Sequence, residues 1–537
     1  MCAVKAVGAK FLGIDLSTQK IKGIIIDDAI RVVASDSVDF GQELAQYRTE
    51  SGIYRYKDGM TVTSPVKMWL DAIDLLFEKL ARKADLSQIH GISGCGQQHG
   101  TVYWSKCAIK KLQTLDCYTS LSKALEDAFT KEESPIWMDS STGDECQHME
   151  KALGGPLALA QITGSRAFHR FSGQQITKVF REQRHIFDAT EHISLVSSFL
   201  PTVLTGHFVG IDEGDGGGMN LMDICKRCWS RDCLRAAVDH ESGEDAKLEE
   251  KLGKLIPCSE VVGNVSRYFC RRFSFSPNCE VVAFTGDNLS SLAGLCLRSG
   301  EMAISLGTSD TVFISTDEWK PYIEGHLFRN PVESNSFMGM LCFKNGSFTR
   351  NRIRERAGVS TWCQYTHLVA KTPPGNSGNI GFYFDDNEII PNVSKGDYRF
   401  DSDGNKVESF ATEIEVRAVL EHQCLAKRLH AERLGYDSGG KGDIIATGGA
   451  SSNELILQIL ANVFGKPVYV INIADSAAFG GALRAKHVCL NHAANYFDSS
   501  AGAVERRLVA EPQREYVEVY NRMLPKYAEL EARILEM

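Results

Sequence analysis

A chain of 537 residues is longer than one ordinary hydrophobic core supports, so two large lobes are the starting expectation. Its composition, 43% hydrophobic and 24% charged with only 14 prolines, excludes extensive disorder. A formal charge of -9 opposes phosphate backbones and excludes nucleic acid as a partner class, while the lack of a long apolar run or an N-terminal apolar leader points to no membrane partner and a cytosolic chain.

Residues 11–27, FLGIDLSTQKIKGIIID, read as a β-hairpin, because two apolar β-branched runs flank a turn of Ser, Thr and Asp that bonds its own backbone. Asp15 stands between Ile14 and Leu16, where a carboxylate is costly to bury unless it holds a cation or accepts hydrogen bonds. It either closes the turn or serves Mg2+. Residues 64–84 set Val66, Trp69, Leu70, Ile73, Leu76, Phe77 and Leu80 at helical spacing, with Ser64 as N-cap and Pro65 in the first turn. A short strand at 89–93 then ends in GCGQQHG, so polar groups emerge at a strand's end, where α/β folds hold ligands. Cys225 and Cys228 have CxxC spacing without a second pair or paired histidines, so they read as unliganded thiols, and the 16 cysteines imply no disulfide framework. The glycine-rich stretches 214–218 and 375–381 read as turns.

After the apolar strand 281–284, Asp287 and Asn288 project together where a strand gives way to a helix at 290–297. Asp287 is either a helix cap or a general base. Residues 303–314, AISLGTSDTVFI, repeat the first hairpin, which implies two related lobes. In its turn, Gly307, Thr308 and Ser309 can bring N–H groups and hydroxyls close to a phosphate. A helix at 413–434, a strand at 443–447, the turn Gly448-Gly449-Ala450 and a helix at 453–464 alternate as an α/β lobe does. Placing strand 281–284 beside the second hairpin puts the boundary at 282, with lobes 1–282 and 283–537. No GxxxxGK[ST] occurs, so a nucleotide site must be built without a P-loop. The tail 504–537 carries a charged, heptad-like helix and no motif.

Together, the paired hairpins, a GDN after a strand and ATGGASSN at 446–453 resemble the FGGY family of carbohydrate kinases over nearly the whole chain. GCGQQHGTVYW (94–104), PIWMDSST (135–142), VAFTGDN (282–288), ISLGTSDT (304–311) and ATGGAS (446–451) resemble the branch that acts on D-xylulose. The resemblance implies an α/β fold of two RNase H-like lobes, as in actin and hexokinase, with a cleft between them. Sugar binds in the N-terminal lobe, 1–282, and ATP in the C-terminal lobe, 283–537. Gln98, His99, Arg170, Asp287 and Asn288 are implied as sugar-binding positions, with Asp287 also the catalytic base. Without the resemblance, His99 reads as a core histidine and Arg170 as an ion-pair partner of an acid such as Glu182. Ser17, Thr18, Gly307, Thr308, Ser309, Trp362, Gly449 and Asn453 are implied around ATP, and Asp15 at the metal. The implied partners are D-xylulose and ATP with Mg2+, in a monomer or homodimer. Alternatives are ribulose, gluconate or glycerol as acceptor, an actin-like nucleotide switch without sugar chemistry, or a sensor that has lost catalysis.

Overall fold

A computed structural model describes residues 8–473, 475–491 and 494–537. The chain forms two compact units. Met1–Cys296, Phe328–Asn335 and Ile473–Ala503 make the first, and Leu297–Leu327, Ser336–Asn472 and Val504–Met537 the second.

In the first unit, β1 (Lys10–Leu16), β2 (Lys20–Asp27) and β3 (Val32–Asp39) form an antiparallel meander. β4 (Ile89–Gly96) runs parallel to β1, and β5 (Glu280–Val282) and the short β6 (Thr285–Gly286) run parallel to β4. β1 is buried along nearly its whole length, which explains its continuous apolar run. The helix Val66–Ala81 covers one face, with Trp69, Ile73, Leu76 and Phe77 in one core with Leu12, Ile14 and Ile25. Ser64 does not cap this helix. It lies one residue too early, in the strand Val62–Pro65, because Pro65 is itself extended (ψ 122°) and takes the cap position, and Ser64 donates from Oγ to the Gly52 carbonyl at 2.5 Å.

The helix Ser476–Asn491 covers the other face, where Ala478, Phe479, Ala482 and Leu483 meet Phe11, Ile24 and Ile26. A Cβ on Gly13 would collide with the Ala478 backbone, and one on Gly480 with the Ser290 carbonyl. Glycine therefore permits this helix to lie at backbone distance from β1 and from the helix Asp287–Gly294.

β5 belongs to the first hairpin's sheet rather than the second's, so the chain first enters the second unit after Cys296 and not at 282. An apolar run shows that a strand exists but not which sheet takes it. Segment 214–218 is not an open turn either. Glu213–Gly216 is a helical turn capped by Asp212, continued by the 3-10 turn Gly217–Met219, and all of it is buried. Cys225 and Cys228 lie around a tight hairpin as exposed free thiols.

In the second unit, β7 (Met302–Leu306), β8 (Asp310–Thr316) and β9 (Phe337–Phe343) form an antiparallel meander, and β10 (Ile444–Thr447) and β11 (Val468–Ile471) extend it in parallel from β7. This is the strand plan of the first unit, so the paired hairpins do mark a duplicated RNase H-like sheet. The tail is part of the fold. Arg506–Ala510 pairs with β11, and the helix Arg514–Leu535 buries Tyr520, Tyr527 and Leu530 against Val416 and Leu420 of the helix Thr412–Arg433. Among the described residues, no helix is long and apolar enough to cross a membrane.

Candidate active site

β1, β4 and β6 are parallel neighbours, with both Asp15 and Thr285 in register with Cys95. Asp15, the segment 97–99 and Asp287 therefore cluster at the carboxyl ends of adjacent strands, the edge at which α/β sheets hold ligands. Asp15 is buried. Its Oδ2 accepts from Ser17 Oγ at 2.6 Å and its Oδ1 from Cys95 Sγ at 3.5 Å. Burial pushes its pKa up, and the Ser17 bond and the Lys22 charge oppose that rise. Lys22 Nζ lies 3.7 Å from Asp15 and 2.6 Å from Asp475. Among the described residues, no group of three or more His, Cys, Asp or Glu could hold a metal alone. One carboxylate suits a Mg2+ ion that completes its shell with water and phosphate oxygens. Thr18 Oγ1 donates to Gln97 Oε1 at 3.1 Å and accepts from Trp137 Nε1 at 2.8 Å.

The structure brings Gln98, Asp287 and Asn288 together. Asn288 Nδ2 donates to Gln98 Oε1 at 2.8 Å, and the Asn288 backbone N–H donates to Asp287 Oδ1 at 2.8 Å. Asp287 opens the helix Asp287–Gly294, whose cap position is Gly286, so its carboxylate is not the N-cap. Burial first, and the Asp15 charge second, push Asp287 up to about 7.

His99 and Arg170 form a second group. His99 adopts a left-handed φ of 73°, places Nδ1 3.0 Å from the Gly218 carbonyl, and stacks on Phe171 at 4.6 Å. Burial and then the Arg170 charge hold its imidazole well below its usual pKa, so the ring is neutral. A neutral ring facing a carbonyl through Nδ1 carries its proton there, which leaves Nε2 as an acceptor for a hydroxyl. The Arg170 guanidinium lies 4.9 Å from the centre of the Phe168 ring and 5.7 Å from that of Phe171.

On the second unit, the β7–β8 turn exposes Thr308 and Ser309. The turn is held from beneath. Gly307 N–H donates to Asp310 Oδ1 at 3.1 Å, and the N–H groups of Ser347 and Gly346 donate to the carbonyls of Gly307 and Thr308 at 2.9 and 3.1 Å. Asp310 is itself buried between Arg350 at 3.0 Å and Lys427 at 2.8 Å. A second glycine turn lies beside the first. Gly448 has a φ of 82°, and a Cβ there would fall 2.7 Å from the Leu306 carbonyl. Gly449 is exposed, and Asn453 Oδ1 caps the helix Glu454–Phe464 by accepting from Ile456 N at 3.2 Å. Among the described residues, Trp362 is not joined to that turn by a hydrogen bond or ring contact. Its ring meets Tyr365 at 5.2 Å and Arg354 at 5.3 Å.

Sequence reasoning missed Asp215, inside the stretch 214–218 read as a turn, and Asp212, two residues before it. Both are buried, and burial raises both pKa values, with Asp212 adding to the rise at Asp215. It also missed Lys22, Asp475 and the Arg350–Asp310–Lys427 cluster. A pair of acids beside GGG reads as solvated, and only the alternation of Ile211 with Asp212 hinted at a strand running inward.

Residues 132–294 match the N-terminal domain, and residues 302–489 the C-terminal domain, of the FGGY family of carbohydrate kinases. The chain is similar to the xylulose kinase of Rattus norvegicus, at 45% identity over 526 residues, covering 98% of this chain and 97% of that protein. It is also similar to xylulose kinase 2 of Arabidopsis thaliana, at 43% identity over 550 residues, covering 98% and 97%. Among solved structures, the xylulose kinase from Rhodospirillum rubrum superposes with a TM-score of 0.80 at 18% identity over 98% of this chain and 99% of that one. That likeness shows a shared fold.

Proposed function

This chain belongs to the FGGY family of carbohydrate kinases, and from that premise we propose that it transfers the γ-phosphoryl group of ATP to D-xylulose, giving D-xylulose 5-phosphate and ADP. The observation that carries the sugar assignment is identity of 43% to 45% with xylulose kinases along nearly the whole chain. A ketose needs converging donors and acceptors of fixed geometry, and Gln98, His99, Arg170 and Asn288 supply both kinds.

In the proposed step, Asp287 takes the proton of the C5 hydroxyl. That oxygen bonds to the γ-phosphorus, the bond from phosphorus to the β,γ-bridging oxygen breaks, and ADP leaves. A carboxylate raised to about 7 is a stronger base than an ordinary one and is still ionised in part at neutral pH. His99 accepts a sugar hydroxyl at Nε2, and Arg170 donates. The phosphate-binding candidates are Gly307, Thr308 and Ser309 on the second unit and Ser17 and Thr18 on the first hairpin, and Trp362, Gly449 and Asn453 are the candidates for the adenosine end. Sugar recognition thus falls to the N-terminal part of the chain and nucleotide recognition chiefly to the C-terminal part, with Asp287 and Asn288 grouped with the first. Mg2+, held by Asp15 directly or through water, would neutralise charge on the phosphates. We read the enzyme as cytosolic and as a monomer or homodimer.

The test is ADP release with MgATP and a panel of D-xylulose, D-ribulose, L-ribulose, L-xylulose, gluconate and glycerol. Strongest stimulation by D-xylulose is expected. Preference for another acceptor overturns the sugar assignment, and acceptor-independent ADP release overturns the kinase reading.

A further inference from the structure

Asp215 is buried behind the candidate sugar site and makes two side-chain bonds. Its Oδ2 lies 2.6 Å from Ser197 Oγ, and its Oδ1 accepts from Gln98 Nε2 at 3.2 Å. Gln98 Oε1 in turn accepts from Asn288 Nδ2 at 2.8 Å, and the same Nδ2 lies 3.2 Å from Asp287 Oδ1. The run is therefore Ser197, Asp215, Gln98, Asn288, Asp287.

Its direction follows from what each group can do. A carboxylate oxygen accepts, so Gln98 must turn its NH2 toward Asp215 and its carbonyl toward Asn288. Asn288 must answer with its own NH2. Its carbonyl Oδ1 is left over and accepts no hydrogen bond among the described residues. A proton on Asp215 belongs in the short bond to Ser197, so Oδ1 stays an acceptor whether or not the carboxyl is ionised. Asp212 fixes where Asp215 sits. Its Oδ2 accepts from the N–H groups of Gly214 and Asp215 at 3.0 and 3.3 Å and from Thr285 Oγ1 at 2.8 Å, which ties this turn to the strand that delivers Asp287. The arrangement is costly, since two carboxylates are buried together and Asp212 Oδ1 has no hydrogen-bond partner among the described residues. Such a cost is expected where a polar network specifies geometry.

Resting on the sugar-kinase reading, we propose that Asp215 is a positioning residue that sets the hydrogen-bonding polarity of Gln98 and Asn288, so that Asn288 meets the sugar as an acceptor of a hydroxyl proton. Asp215 touches no substrate in this proposal. It acts through the Gln98 amide.

The test is a polarity exchange among near-isosteric variants, Gln98→Glu, Asp215→Asn and the double variant. In Gln98→Glu the new carboxylate can still accept from Asn288 but has no N–H to give Asp215, and two carboxylates would face each other. In Asp215→Asn the new amide can keep its carbonyl on Gln98 and give its NH2 to Ser197 Oγ. In the double variant it can turn that NH2 to the carboxylate at position 98 instead. Gln98→Glu should lose at least ~10-fold in kcat/KM for D-xylulose, with KM for ATP unchanged, and Asp215→Asn alone should stay within ~3-fold of the wild type. The double variant should recover to within ~3-fold of Asp215→Asn. A double variant no better than Gln98→Glu overturns the proposal, as does a Gln98→Glu variant with normal sugar kinetics or an Asp215→Asn variant as impaired as Gln98→Glu. Should the wild type prefer another acceptor, the same cycle is run with that one. Should it phosphorylate none, the function reading falls, and the coupling of positions 98 and 215 is still read from the thermal midpoints of the four proteins. Additive midpoints then overturn it.

Discussion

Asp287 is a carboxylate that folding makes harder to ionise, chiefly by burying it and secondarily by setting Asp15 nearby. In the proposed role of general base it must be ionised, so kcat/KM for the sugar should rise with pH to a plateau above about 7. A profile flat from about pH 5.5 to about 8.5 contradicts that role. The same shift has a stability consequence of opposite sign. Between the ordinary carboxylate range and about 7, the folded chain keeps a proton that the unfolded chain has released, so this group's contribution to stability falls as pH rises through that window and is constant above it. Asp287→Asn should therefore lose ~10² to 10⁴ in kcat with little change in KM for ATP, yet gain thermal midpoint relative to the wild type as pH rises from about 5 to about 7.5. A variant whose relative midpoint falls over that range contradicts the assignment of the shift. Asp287 was legible in the sequence because a strand, a glycine and a helix start frame it. Asp215 was not, because nothing local distinguishes an acid buried by distant partners from one in a solvated glycine turn.

At the scale of elements, the β7–β8 turn shows the same division. Its apolar flanks and its Gly-Thr-Ser tip are local, so the hairpin could be read directly. Its support could not. Asp310, at 0% exposure, is gripped by Arg350 of the helix Ser347–Arg356 and by Lys427 of the helix Thr412–Arg433, and both cations look like solvated helix residues in sequence. Ser64 failed in the opposite way, since a local cap pattern was present but Pro65 continues the strand and takes the cap position itself. Removing one partner of a buried charge cluster leaves the others uncompensated, at a cost of about 3 to 5 kcal/mol. Asp310→Asn should cost stability of about that size by chemical denaturation, because two buried cations would share a neutral amide. It should also raise KM for ATP, since Gly307 N–H exchanges a carboxylate acceptor for a weaker amide one, while KM for the sugar stays put. Normal stability, or equal loss of affinity for both substrates, contradicts the role given to this cluster.

At the scale of the whole molecule, the duplicated sheets were legible because each hairpin repeats within a short window, whereas the path of the chain between the units was not. The first unit takes back residues Ile473–Ala503 after the chain has built most of the second. No composition shift marks that return. The helix Ser476–Asn491 is then the only described layer packed at backbone distance on Gly13 of β1, and its Arg484 donates to the carbonyls of Cys258 and Ala283 at 2.6 and 2.7 Å. A fragment ending at Cys296 would bare Phe11, Ile24 and Ile26 and leave those carbonyls without the guanidinium, although it holds every strand of the first sheet. Exposed apolar sheet faces aggregate, and a sheet with one face uncovered lacks the second layer that a stable domain needs. The fragment 1–296 should accordingly lack a cooperative thermal transition and bind an apolar dye. Supplying residues 473–503 through a flexible linker should restore the transition, and a variant of that fusion with Gly480→Val should lose it again because the added side chain meets the Ser290 carbonyl. Cooperative unfolding of the bare fragment would show instead that the hairpin sheet carries its own fold and that the returning helix serves another purpose.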